Sequence, residues 1–318
     1  MSIPFATRPP TAHESERLRL ALSSYCDGTG MVTTKDGQST IPGWRDIERA
    51  FAAIFDGNAP EGKQVFDVLV QSTTTPGAVY GFSVKSKSMT QTVMSRLGTS
   101  SRVYMELSNS SAKFWDVLRS HGITEANFTA KQDAQRIGEK IISVVEGWHC
   151  EDAIRYSGEN PGLHIDLKKS VYLTVSYNKA TATRQSVYQF HSFGLRFPIG
   201  IIWQYSSDCC LRGMDPAHPT EALFDWYGLS GGQLKYYPRA TNARYTSSQF
   251  TLETPQLLPV TVRAARYWPQ KWLAAGGSLT LSREELISEL DKMIHAVRDT
   301  PSQQILERAL ASVRTAGR

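Results

Sequence analysis

Apolar positions recur at helical spacing in "GWRDIERAFAAIFDGN", where Trp44, Ile47, Phe51, Ile54 and Phe55 form one stripe and Gly57-Asn58 ends the run. On a wheel of 100 degrees per residue Glu48 sits at the margin of that stripe, while Asp46 and Arg49 lie further toward solvent. The period then changes. "QVFDVLVQS" and "VYGFSVKS" are rich in Val and Phe and flank the turn "TTTPGA", which predicts two antiparallel strands. Residues 88 to 97 suit a short helix, "RVYMELS" a further strand, and "NSSAKFWDVLRSHG" a capped helix ending at Gly122. "DAQRIGEKIISVVEGWH" is amphipathic, and "ERLRLALSSYC" near the start is a helix stopped by "DGTG".

From about residue 160 the texture becomes β-like. "GLHIDL", "SVYLTVSYN", "SVYQFHSFGLRF" and "IGIIWQYS" read as strands, "GQLKYYPRATNARYTSSQFTLETPQ" as a hairpin, and "SREELISELDKMIHAVRDTPSQQILERALASV" as helix. These patterns predict a mixed α/β (α+β) fold with a central mixed sheet flanked by helices. A single domain is expected over 1–318, with a core at 40–160, a β-rich elaboration at 161–260 and C-terminal helices at 261–318.

Composition narrows the class. Hydrophobic residues make up 41% of 318, enough for a sizeable core. No apolar run approaches membrane-spanning length, and "MSIPFATRPPTAHESER" has no apolar signal core, so a non-membrane, cytoplasmic protein is expected. Cys26, Cys150, Cys209 and Cys210 lack metal-finger spacing and read as reduced thiols. A net charge of +5 is compatible with a polyanionic partner without requiring one.

The candidate chemistry lies in the hairpin. Asp67 stands among Phe66, Val68 and Leu69, and Lys85 follows Phe82 and Val84. Pairing about Pro76-Gly77 brings the two side chains to neighbouring positions, and charges so placed need a partner or a task. A carboxylate can hold Mg²⁺ against phosphate oxygens, and an adjacent lysine can orient a water and offset phosphate charge. A simple cross-strand ion pair is the competing reading.

"FDVLV…YGFSVKSK" resembles the core of the PD-(D/E)xK nucleases, and the size and layout resemble a type II restriction endonuclease. That resemblance implies Asp67 as the first metal-binding acid, Lys85 as the catalytic lysine, and Glu48 as the acid on the preceding helix. Phe66 replaces the family's proline, and Ser83 stands where the second acid belongs. A serine is a poor metal ligand, so another carboxylate must complete the site. Glu106 on "RVYMELS" is the first choice, because that strand is expected beside the strand of Lys85, and Glu48 is the second. Metal binding is thus assigned to Asp67 and Glu106.

Elsewhere, His149 and Cys150 are adjacent on a helix and point about 100 degrees apart, which favours packing or helix-end roles over a shared ligand. His164 and Asp166 share a strand face with no second histidine nearby. For reading DNA bases, Asn109 and Lys113, then Arg184, then Arg239, Asn242 and Arg244 lie on polar turns and are the candidates. The resemblance implies a Mg²⁺-dependent, site-specific deoxyribonuclease acting on double-stranded DNA as a two-fold homodimer in the bacterial cytoplasm, with a matching DNA methyltransferase as genetic partner. Two alternatives stand beside it: a structure-specific repair or junction nuclease of the same core, and a catalytically silent DNA-binding protein.

Overall fold

In the computed structural model, residues 2–26, 30–33, 40–60, 64–98, 101–108, 110–179 and 186–252 are described, with scattered positions between 287 and 314. The C-terminal helices expected at 261–318 otherwise lie outside the described residues. Contacts divide the chain into two units. One joins Met1–Pro9, Pro60–Asn178 and Gln189–Ser247; the other joins Pro10–Ala59, Lys179–Tyr188 and Ser248–Arg318.

The second unit opens with helix α1 (Ala12–Ser23), a two-residue ladder of β1 (Val32–Thr33) with β2 (Thr40–Ile41), and helix α2 (Trp44–Ile54). Of the predicted stripe, helix α2 buries Ile47 and Phe51, with Ala50 and Ala52 beside them, while Trp44 at its start is exposed and Ile54 and Phe55 are half-buried. Asp46 departs from expectation. It is buried, because from the third helical position its carboxylate reaches back to the Gly43 N–H (3.0 Å) and to the Met31 N–H (2.9 Å).

The first unit carries two sheets. It contains β3 (Val68–Gln71), β4 (Ala78–Met89), α3 (Gln91–Met94), β5 (Met105–Ser108), α4 (Ser111–Ser120), α5 (Glu125–Thr129) and α6 (Ala134–Glu159). After these come β6 (His164–Ile165), β7 (Val171–Asn178), β8 (Val187–Gly194), β9 (Ile202–Tyr205), β10 (Leu211–Asp215), β11 (His218–Trp226), β12 (Leu234–Tyr236) and β13 (Tyr245–Thr246). The opening residues of β8 pair with β14 (Phe250–Thr251) inside the second unit. The fold is mixed α+β, with a central mixed sheet and flanking helices, as the pattern predicts.

The central sheet runs β13-β8-β7-β4-β3, with β6 beside the start of β4. Strands β3 and β4 are the expected hairpin, antiparallel around Gly77, whose φ of +72° favours glycine. Strands β4 and β7 pair in parallel, so the chain between them must cross over, and it does so through α3 to α6. Strand β7 is buried at every position, since neighbours cover both of its faces. The second sheet, β5-β12-β11-β10-β9, is antiparallel throughout.

An aromatic core joins the sheets. Tyr172 of β7 stacks on Phe197 (5.9 Å), which meets Phe224 and Tyr236 edge-on (5.3 Å each), and these two stack at 4.6 Å. Helix α6 buries Ile137, Ile141, Val144 and Val145 in the same unit. The hairpin expected at residues 232–256 does not form. Its first strand, β12, pairs with β5 and β11, and its second, β13, pairs with β8. Among the described residues, no helix is long and apolar enough to cross a membrane.

Candidate active site

Asp67 precedes β3 and extends its ladder, its N–H bonded to the Phe82 carbonyl at 2.9 Å. The register Val68↔Phe82 sets Asp67 opposite Ser83, with Lys85 one diagonal step away. The Asp67 carboxylate uses one oxygen twice: Oδ2 accepts from the Val84 N–H at 2.7 Å and from Lys85 Nζ at 3.1 Å. Its Oδ1 makes no hydrogen bond among the described residues. Both side chains keep about a fifth of their surface exposed, 22% for Lys85 and 23% for Asp67. An ion pair at that exposure contributes roughly 0.2–1 kcal/mol, too little to explain placing charges here for stability. The pair therefore reads as an ordered acid and lysine with one carboxylate oxygen left open.

The surroundings are dry on one side. Ser83 is buried, 2% exposed, and pairs with Tyr172 across the parallel β4–β7 ladder. Helix α6 covers this part of the face with His149, whose Nε2 lies 3.0 Å from Tyr172 Oη and whose ring packs 5.9 Å from Phe66. Burial first, and then the charge of Lys85, push the His149 pKa down to about 4, so the ring is neutral at pH 7. Burial raises the Tyr172 hydroxyl far above its usual range, with smaller contributions from Tyr236 and Glu146. The packing role expected of His149 holds, but its partner Tyr172 was not legible, because only the tertiary fold lays α6 over β7. Cys150 is exposed while His149 is buried, as their angular separation requires, and the four cysteines are free thiols. His164 is exposed in β6, and Asp166 instead caps a turn through the Lys168 and Lys169 N–H groups.

Glu106 requires a correction. Its strand, β5, does not run beside β4; it joins the second sheet, where Glu106 lies opposite Lys235 of β12. On β4 the β3 flank is paired only along Val79–Phe82, the other flank carries β6 and β7, and β5 takes its hydrogen bonds from β12 instead. Strand β4 still meets the residue before β5, with Lys87 Nζ 4.4 Å from the centre of the Tyr104 ring. Glu106 is half-buried and has no ion pair among the described residues; its charge adds to burial in raising the Tyr104 pKa to about 12. Glu48 belongs to the other unit, where it is 2% exposed and bonded to Arg45 at 2.8 Å. Among the described residues no three His, Cys, Asp or Glu side chains gather closely enough to hold a metal ion.

The candidate base readers scatter. Asn109 and Arg184 lie outside the described residues. Lys113 is exposed on α4, its Nζ 5.6 Å from the Trp148 ring centre. Arg239 is bonded to Glu221, and Asn242 is exposed in a short 3₁₀ turn. Arg244 donates to the Lys168 carbonyl at 3.0 Å and lies over Gly194, which has no room for a Cβ beneath the guanidinium. No family model, no curated protein and no solved structure matches the chain.

Proposed function

We propose that the chain is a Mg²⁺-dependent endonuclease of restriction type that hydrolyses phosphodiester bonds at a short specific site in double-stranded DNA. One observation carries the proposal: a strand acid whose Oδ2 holds both the Val84 N–H and Lys85 Nζ, leaving Oδ1 open at a partly exposed edge. Mg²⁺ needs only one or two carboxylates besides water and phosphate oxygens, and the open Oδ1 of Asp67 would offer it one; Glu106, on the second sheet, is not placed beside it. A cation there would supply Lewis-acid charge to the phosphate and acidify a bound water.

The chain's own residues then have defined tasks. The Val84 N–H locks the Asp67 carboxylate in place, and Asp67 in turn orients Lys85. Lys85 holds the attacking water by a hydrogen bond and offsets negative charge growing on the phosphate. Neutral His149 adds no second positive charge beside Lys85. Cleavage of both strands of a palindrome implies a two-fold homodimer, and a cytoplasmic enzyme of this kind requires a methyltransferase that protects host DNA.

Buried Ser83, in place of a second acid, favours a second reading: a DNA-binding protein without cleavage. Incubating the purified chain with phage and plasmid DNA in Mg²⁺, beside Lys85→Ala and an EDTA control, separates the two. Discrete fragments that vanish in both controls are expected. Fragments without sequence preference would assign a structure-specific nuclease. Intact DNA across a varied panel would leave Asp67 and Lys85 as an ion pair in a binding protein.

A further inference from the structure

The outer face of the second sheet continues from the Asp67–Lys85 pair. Lys87, two residues beyond Lys85 on β4, rests on the Tyr104 ring, and Tyr104 meets Tyr237 edge-on at 5.5 Å. Tyr237 Oη donates to Asp225 Oδ2 at 3.2 Å, and Asp225 also accepts from Arg212 Nε at 2.7 Å and from Arg212 Nη2 at 3.1 Å. By register Glu106, Lys235, Asp225 and Arg212 stand abreast on β5, β12, β11 and β10. The alternate residues Leu234, Phe224, Trp226 and Leu211 are buried in the core. Lys235 Nζ sits 4.2 Å from the Tyr227 ring centre.

Asp225 is 4% exposed, and a buried carboxylate with its arginine seldom stabilises a fold more than an apolar pair of the same shape. The arrangement instead orients Arg212. Asp225 occupies the side-on fork of the guanidinium, Nε and Nη2. The end-on edge, Nη1 with the second Nη2 proton, makes no hydrogen bond among the described residues, and the side chain is 38% exposed. A cleft of about 490 Å³ opens there, lined by Arg102, Arg212, Glu221, Ala222, Asp225 and Tyr237. The β10–β11 ladder is bulged beside it, between Gly213 and Asp215, and bulges re-aim side chains. Arg102, the other arginine of the cleft, is committed to Glu221, Asp215 and the Tyr237 carbonyl, and so forms wall.

We infer that this face is the DNA-reading surface, with Arg212 as a guanine reader whose end-on edge donates to O6 and N7, and with Lys87 and Lys235 on flanking phosphates. The inference rests on the endonuclease reading above and assigns its sequence-reading residue.

The test is selection of bound sites from a randomised DNA duplex library, with Ca²⁺ in place of Mg²⁺, for the wild type, Arg212→Lys and Asp225→Asn. Arg212→Lys keeps the charge and loses the fork; Asp225→Asn keeps the shape and loosens the fork. The wild type is expected to enrich a site with an obligatory guanine. Arg212→Lys is expected to discriminate at that base pair about tenfold to a hundredfold less, with the other positions unchanged. Asp225→Asn weakens discrimination at the same base pair. Replacing that guanine by 7-deazaguanine, which lacks the N7 acceptor, should weaken the wild type and leave Arg212→Lys unmoved. The 7-deazaguanine effect is read on the wild type alone, should a variant fail to fold. An unchanged site in Arg212→Lys, or a wild-type site indifferent to 7-deazaguanine, overturns the inference but not the endonuclease reading. A wild type that binds no duplex removes both.

Discussion

At the scale of single residues, Asp67 is both a structural acceptor and the proposed chemical group, and two substitutions separate these roles. Asp67→Asn keeps an oxygen for the Val84 N–H and removes the negative charge. Cleavage is expected to vanish while the unfolding midpoint stays near that of the wild type. Asp67→Ala also leaves the Val84 N–H without its side-chain acceptor, which costs about 1–3 kcal/mol in denaturant titration. Equal stability of the Ala and Asn variants would show that the Val84 hydrogen bond contributes nothing. The meeting of Asp67 and Lys85 was legible in the chain, because a tight Pro-Gly turn sets a hairpin register by counting. The place of Glu106 was not, since nothing local tells a strand which neighbour it will find.

Among the elements, α6 offers a paired comparison. Gly138 faces the indole of Trp203, and a Cβ there would fall inside the ring, whereas Gly147 on the same helix has open space around it. Glycine to alanine in a helix interior gains about 1 kcal/mol from propensity. For Gly147→Ala that gain is expected in full, as a rise in unfolding free energy. For Gly138→Ala the clash with a 5% exposed tryptophan outweighs it, with a net loss of about 1–3 kcal/mol. Thermal melts of both variants check the pair, and a stabilised Gly138→Ala would mean that α6 and β9 are less tightly packed than they stand here. The periodicity of α6 was readable, but the partner of its glycine was not. In the same way "SVYLTVSYN" reads as a strand, and its polar residues Thr174, Ser176 and Asn178 are buried as well, because β7 is covered on both faces.

Over the whole molecule, two buried histidines contribute to the response to acid. Burial, helped by Lys85, lowers the His149 pKa to about 4, and burial lowers that of His191 to about 4. Both folded values lie below the unfolded value of 6.5, so the stability they contribute is fully present above pH 6.5. It is lost as pH falls from 6.5 toward 4, at roughly 1.4 kcal/mol per pKa unit for each ring. Denaturant midpoints measured across that window should fall steadily. His149→Gln, which keeps a hydrogen-bonding partner for Tyr172, should make the fall shallower. A profile flat from pH 6.5 to 4 would show that both rings take up protons without leaving their places.

The chain alone determined what depends on near neighbours: the mixed α+β class, the 64–91 hairpin with its acid and lysine, the apolar stripe of α2 and most of α6. These follow from period, turn chemistry and caps, which act within a few residues. Only tertiary structure decided that β5 leaves the first sheet for the second, and that the 211–226 stretch supplies β10 and β11. It alone set Arg212 on Asp225 beneath Tyr237, and laid His149 over Tyr172. The pairing of β5 with β12 and the meeting of His149 with Tyr172 join segments well apart in sequence, as Arg102 and Glu221 do across 119 residues, whereas Arg212 and Asp225 meet across the β10–β11 hairpin. Which of several compatible strands fills an edge is settled by the burial of whole faces against one another, and no local pattern encodes that competition.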